Sequence, residues 1–337
     1  KFDFLGLKTL TVLHDAVKMI KETRGIELDL NGLPLDDAKA YKMITMGRTI
    51  GIFQLESSGI TEMVTRLKPN CFDDLVAILA LYRPGPLDAG MVDHYINRKH
   101  GREPVKYLHP ILEPILGDTY GIILYQEQIM QIAREMGGYT LGEADMLRRA
   151  MGKKKPEEMA KHRGAFLEGA KKRTVPDAIA SEVFDQMETF ARYGFNKSHS
   201  VAYALISYQT AYLKAHFPRQ FMAALMTHEM GDTDKTLKNI NDCRDMGIDV
   251  VPPDLNHGVV GFNVVDGKIL FGLAAMKGVG EKVVERLIET RTAEGPFKGL
   301  FDLCKRIDSS ILNRRSLEQF IKSGSLDDTG IPRAQMM

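Results

Sequence analysis

The sequence predicts a mainly α chain that ends in a small β-hairpin and a helix-hairpin-helix module. Three observations lead there. Apolar residues recur at helical spacing from residue 8 to near residue 250, and sustained strand alternation is scarce. Val251-Pro252-Pro253-Asp254 then breaks any helix, which sets a domain boundary at residues 250–256. Beyond it, Asp266-Gly267 separates Phe262-Asn263-Val264-Val265 from Lys268-Ile269-Leu270-Phe271, the pattern of a tight hairpin.

Taken in order, Lys1-Phe2-Asp3-Phe4-Leu5-Gly6-Leu7 alternates as a strand, with Asp3 projecting opposite Phe2 and Phe4. Beginning at Lys1 rather than Met, inside a strand, suggests a segment of a longer protein. The helical stretch is punctuated by turns at 25–34, 83–86, 101–104 and 137–138. Residues 118–125 hold a β-branched apolar patch, but 126–136 continue with helical periodicity, so the patch reads as the start of a helix. Residues 194–218 read as a loop followed by a long helix, with Ser198 or Ser200 as N-cap and Val201, Leu205, Tyr208, Tyr212 and Ala215 on its packed face. Residues 312–320, with Arg314-Arg315, form a last amphipathic helix.

A chain of 337 residues with 44% hydrophobic and 26% charged content is ample for two or more packed domains. The longest apolar run, residues 75–82, falls far short of the roughly 18 residues a membrane helix needs, and no signal-like N-terminus is present. No membrane association or export is expected. Cys71, Cys243 and Cys304 show no metal-ligand spacing, so free thiols at core positions in a reducing compartment are the simpler expectation.

Charge is distributed unevenly. Residues 148–173 hold ten Lys/Arg against three acids, so with a total of +1 the rest of the chain sums to −6. Within that stretch Arg148-Arg149-Ala150-Met151-Gly152-Lys153-Lys154-Lys155 runs into Pro156-Glu157-Glu158, a helix start. Lys197 and His199 likewise precede or open a helix, whose N-terminus already carries about half a positive charge, so cations there suit an arriving anion. The plainer reading is solvated surface charge. Two such helix tips, with the Arg148-Arg149 pair, suit a polyphosphate or nucleic-acid backbone.

Residues 273–288, Leu273-Ala274-Ala275-Met276-Lys277-Gly278-Val279-Gly280-Glu281-Lys282-Val283-Val284-Glu285-Arg286-Leu287-Ile288, read as a helix-hairpin-helix. Gly278 and Gly280 permit a tight turn whose N–H groups can approach a phosphate, with Lys277 and Lys282 beside them. Such contacts read the backbone and not the base sequence. An ordinary turn between packed helices is the alternative.

Six ordered motifs then carry a specific resemblance. They are Lys1-Phe2-Asp3-Phe4-Leu5-Gly6-Leu7, Gly51-Ile52-Phe53-Gln54-Leu55-Glu56-Ser57, Leu81-Tyr82-Arg83-Pro84-Gly85-Pro86-Leu87, Tyr125-Gln126-Glu127-Gln128, the run from Gly142-Glu143-Ala144-Asp145 through Arg148-Arg149 to Lys153-Lys154, and Phe195-Asn196-Lys197-Ser198-His199-Ser200. Together they resemble the bacterial DNA polymerase III alpha subunit across essentially the whole chain. The resemblance implies the edge of the palm at 1–12, a helical fingers domain at 13–255, and a small hairpin with helix-hairpin-helix at 256–337.

It further implies template-directed nucleotidyl transfer from dNTP onto a DNA primer-template, with two Mg²⁺ ions. Asp3 matches a catalytic, metal-binding carboxylate of the family. Arg83, Arg148, Arg149, Lys153, Lys154, Lys197, His199 and Ser200 become candidates for contacting nucleotide or template, and Lys277, Gly278, Gly280 and Lys282 for the DNA backbone. The remaining polymerase domains, and through regions outside this chain a sliding clamp and other replisome subunits, are the implied partners in a bacterial cytoplasm, at the nucleoid. The paired palm aspartates and the thumb are lacking, so the chain alone should not polymerise. An error-prone paralogue and a non-catalytic DNA-binding scaffold remain open alternatives.

Overall fold

The computed structural model describes residues 6–153, 156–191 and 193–337. The strand expected at 1–7 and Asp3 within it thus lie almost wholly outside the described residues, as does Lys154. The fold is mainly α, with one three-stranded sheet. Compactness divides the chain into two units. One comprises the chain up to Pro34, Thr49–Glu56 and Gln209–Met337; the other comprises Leu35–Arg48 and Ser57–Tyr208. This division interleaves along the sequence and does not follow the linear boundary at residue 255.

In the second unit, helices Gln126–Glu135, Leu141–Lys153, Pro156–Lys172 and Asp177–Ala191 enclose a core that includes Ile129, Ile132, Leu147, Phe166, Phe184 and Met187. Thr140 and Glu143 form a reciprocal cap on the second of these, each serving the other's backbone N–H at 2.8–3.3 Å. A Cβ on Gly169 would lie 1.7 Å from the Gly137 carbonyl oxygen, so the chain at 137–138 and the helix Pro156–Lys172 meet at a distance that no side chain allows. Residues 83–86, expected as a turn, instead open the helix Pro84–Asp88 because Pro84 is preorganised at the first helical position. Residues 118–125 do not start a helix. Tyr120 and Gly121 both have positive φ (52° and 76°), which ends the preceding 3-10 turn, and the chain runs extended to Tyr125.

In the first unit the helices Lys8–Arg24 and Pro218–His228 pack together. Lys214, wholly buried, places its ammonium 2.7 Å from Asp242 and 2.7 Å from the Ile50 carbonyl. The hairpin forms as expected: Asn263–Val265 pairs antiparallel with Lys268–Leu270 through Asp266 (φ 48°) and Gly267 (φ 74°), the double positive φ of a type I′ turn. Val250–Val251 adds a parallel strand on the other edge, at the place where the sequence showed only a helix break.

The predicted first helix of the helix-hairpin-helix is one 3-10 turn, Leu273–Ala275, followed by the turn through Gly278 (φ 92°) and the helix Glu281–Glu294. Gly272 and Gly278 bracket too few residues for anything longer. The core behind it joins Val283, Val284 and Leu287 to Leu303, Leu312 and Phe320, from helices Leu300–Arg306 and Arg314–Ser323 and the loop between them. All three cysteines are free, but only Cys243 is buried; Cys71 and Cys304 are exposed, so the expectation of core positions fails for those two.

Candidate functional site

The helix Lys197–His216 starts differently from the sequence expectation. Asn196 is its N-cap, its Oδ1 accepting from the His199 N–H at 2.9 Å, so neither Ser198 nor Ser200 fills that role. Ser200, expected at the nucleotide site, is wholly buried, and its Oγ has no hydrogen-bond partner among the described residues. The packed face is also rotated: Ser200, Ala204, Ser207, Tyr208 and Ala211 are buried, whereas Val201 is 38% exposed. The first helical N–H, that of Lys197, donates to both oxygens of Glu127 at 3.1 and 3.0 Å. An anion does sit at the helix tip, and the protein supplies it.

The loop leading to this tip, residues 193–196, is held on several sides. The Phe195 N–H donates to Leu124 O (3.1 Å) and its carbonyl accepts from the Gln126 N–H (2.9 Å), a single parallel bridge between the extended segment and the loop. Gln126 Nε2 donates to Gly194 O at 3.1 Å, and Arg83 Nη2 to Tyr193 O at 2.7 Å. Arg83 also donates to Ala80 O and stacks on the Phe195 ring at 4.3 Å, and burial pulls its guanidinium below the ordinary arginine value. Both hydrogen bonds go to main-chain carbonyls, so Arg83 shapes the loop that carries Lys197 and His199. Gly85 has a similar reason: a Cβ there would lie 2.1 Å from the Tyr193 ring.

Arg148 meets the same cluster from the helix Leu141–Lys153. Its Nη1 donates to Gln126 Oε1 (3.0 Å), while Nε and Nη2 donate to Asp145 Oδ1 (3.0 and 2.7 Å). Arg148 beside it, and Arg149 at 2.8 Å from its other oxygen, hold the Asp145 carboxyl below the usual carboxylate range. Arg149 keeps 65% of its side chain exposed. The Lys197 ammonium lies 5.4 Å from the centre of the Tyr125 ring, and exposed His199 stacks on Tyr203 at 4.1 Å with Phe195 edge-on at 5.4 Å. Thus Arg83, Arg148, Lys197 and His199 share one network. Lys153 lies in the helix without a described side chain, and Asp3 and Lys154 lie outside the described residues.

Sequence reasoning missed Gln126, Glu127 and Asp145 as parts of this site. All three stood inside the family motifs, but nothing in their spacing says which groups they reach. A cavity of about 630 Å³ in this unit holds none of the expected residues and is lined by Arg98, Lys106, Leu112, Ile122 and Glu182 among others.

In the other unit the turn at Gly278 stands by itself. Lys277, Gly278, Gly280 and Lys282 are all exposed, and Lys277 and Lys282 make no ion pair among the described residues. A Cβ on Gly278 would lie 2.8 Å from Arg315 Nε, so the last amphipathic helix brings a third cation to the turn.

The chain thus presents a helical module with two cation-bearing helices tied together, and a separate glycine turn flanked by exposed lysines. Residues 9–174 match the family described as bacterial DNA polymerase III alpha subunit finger domain, and residues 247–336 match the helix-hairpin-helix motif. The chain is 53% identical over its full length to the DNA polymerase III subunit alpha of Escherichia coli K12, covering 30% of that protein. It is 54% identical over 98% of its length to that of Pseudomonas aeruginosa (29% of that protein) and 52% identical over its full length to that of Thermus aquaticus (28%). The chain carries the fingers domain and helix-hairpin-helix region of the bacterial DNA polymerase III alpha subunit family, and it spans about 30% of the length of these relatives.

Proposed function

We propose that this chain supplies the nucleotide- and template-engaging fingers, and a DNA-backbone grip, to a DNA-directed DNA polymerase. One observation supports this most: Arg148 and the Lys197–His199 helix tip, from distant parts of the sequence, converge on Gln126 and Glu127. Exposed Arg149 and His199 border the same network, where forked and ring donors suit a triphosphate. Lys277, Lys282 and Arg315 serve duplex backbone independently of sequence. The functional division into residues 1–12, 13–255 and 256–337 is part of this proposal, as are the implied primer-template, clamp and replisome partners and the bacterial cytoplasmic, nucleoid setting.

Mg²⁺ supplies charge neutralisation at the transferred phosphoryl group when bound. Among the described residues the cluster with metal-ligand spacing is Asp254, His257 and Asp328, beside the hairpin, and it includes none of the motif positions. The described residues therefore offer no polymerase metal set. Asp3 would contribute one carboxylate, alongside others beyond this chain. What the described residues do is hold cations in place for the nucleotide and shape the loop that presents them.

The test is primer extension by the full-length polymerase carrying Asp3→Asn or Lys197→Ala, with primer-template binding measured separately. Asp3→Asn should abolish extension and leave binding intact. Lys197→Ala should raise the dNTP KM. Normal extension by the first removes Asp3 from the chemistry, and an unchanged KM and rate in the second removes Lys197 from the nucleotide site.

A further inference from the structure

We infer that Gln126 is a positioning residue that locks Arg148 to the Lys197–His199 helix tip, so that both cation sets meet the nucleotide as one unit; this rests on the nucleotide reading above. Asp145 cannot do this. It lies on the same helix as Arg148, three residues away, and its ion pair travels with that helix. Gln126 belongs to another segment and makes three bonds in three directions: its N–H to Phe195 O, its Nε2 to Gly194 O, and its Oε1 from Arg148 Nη1. Among the described residues, the hydrogen bonds of Arg148 go to Asp145 and Gln126, and of these two Gln126 is the one bonded to the 193–196 loop.

The residue type follows from the geometry. One end of the side chain must accept from a guanidinium and the other must donate to a carbonyl, and an amide of this length does both at once. A carboxylate keeps the acceptor and loses the donor. An apolar chain of equal length loses both. Gly194 is fitted to the same purpose, since a Cβ there would press on Gln126 Cγ at 3.3 Å.

The experiment uses full-length polymerase, steady-state dNTP incorporation, separate primer-template binding, and a cycle between Gln126→Met and Arg148→Ala. Gln126→Met should raise the dNTP KM about tenfold, the size of one lost hydrogen bond to a charged group, without weakening primer-template binding. In the Arg148→Ala background it should add less than about twofold. Gln126→Glu, which still accepts from Arg148 but has no donor for Gly194 O, should also raise the KM, because the lock needs both bonds, whereas a role as acceptor for Arg148 alone predicts that Glu restores it; a mere pin on the Gly194 loop is told apart by the cycle, where it would multiply with Arg148→Ala. A silent Gln126→Met, full multiplication of the two effects, or full recovery by Glu overturns the inference. If Arg148→Ala is itself silent, the nucleotide reading of Arg148 fails and takes this inference with it, a result distinct from failure of the coupling alone. Should Gln126→Met not melt cooperatively, Gly194→Ala takes its place in the cycle, with the same expected and refuting results.

Discussion

Lys214→Met should be among the costliest single substitutions in this chain. The Lys214 side chain is 0% exposed, and its Nζ lies 2.7 Å from Asp242 Oδ2 and 2.7 Å from Ile50 O. At an effective dielectric of about 20, charges at that distance attract by about 6 kcal/mol, most of which is cancelled by removing both ions from water. Removing the lysine alone keeps the desolvation cost of Asp242 and loses its compensation, a net destabilisation of about 3–5 kcal/mol. It also frees Ile50 O, and with it the segment Thr49–Glu56 that carries the Gly51–Ser57 motif. Urea unfolding followed by far-ultraviolet circular dichroism measures this. Lys214→Met with Asp242→Leu should recover most of the loss, because no buried charge is then left unpaired. A single-variant cost below about 1 kcal/mol would refute the reasoning, since that is the scale of a solvated surface pair. The pH dependence has a definite sign. Burial holds the Lys214 ammonium below the ordinary lysine value of 10.5, with Asp242 pulling the other way. Between that lowered value and 10.5 the unfolded chain binds more protons than the folded one, so this group's contribution to stability rises with pH there. The wild-type curve should show that rise relative to Lys214→Met.

Asn196→Ala removes the cap of the Lys197–His216 helix and should cost about 1 kcal/mol, read as a lowered melting temperature; an unchanged melt would mean that Glu127 alone caps the helix. Gly85→Val forces a side chain into the Tyr193 ring and should cost about 1–3 kcal/mol by overpacking, with Gly85→Ala milder in the same melt, and equal stability of all three would show that Tyr193 moves aside freely. Lys277→Ala with Lys282→Ala should reduce the slope of log duplex affinity against log salt by about 2, uniformly across sequences, and a sequence-dependent loss would contradict backbone contact.

Periodicity determined the helical class of this chain. The Asp-Gly pair determined the hairpin down to its turn type, since few residues tolerate two successive positive φ values. Uneven charge, by itself, pointed to residues 148–173 and to the tip at 197–199. Local sequence erred where the deciding partner lay far along the chain. At the helix tip, the Lys197 N–H goes to Glu127, seventy residues earlier, while Asn196 caps the His199 N–H. Arg83 was read as a ligand contact, but its guanidinium reaches the Tyr193 carbonyl and the Phe195 ring, more than a hundred residues along the chain. Gln126 became a junction for the same reason: an amide has no charge or periodicity to signal its role until two other segments present a carbonyl and a guanidinium to it. Sequence fixes which groups are available and their local geometry, and only the tertiary fold decides which of them are consumed by one another and which are left facing a ligand.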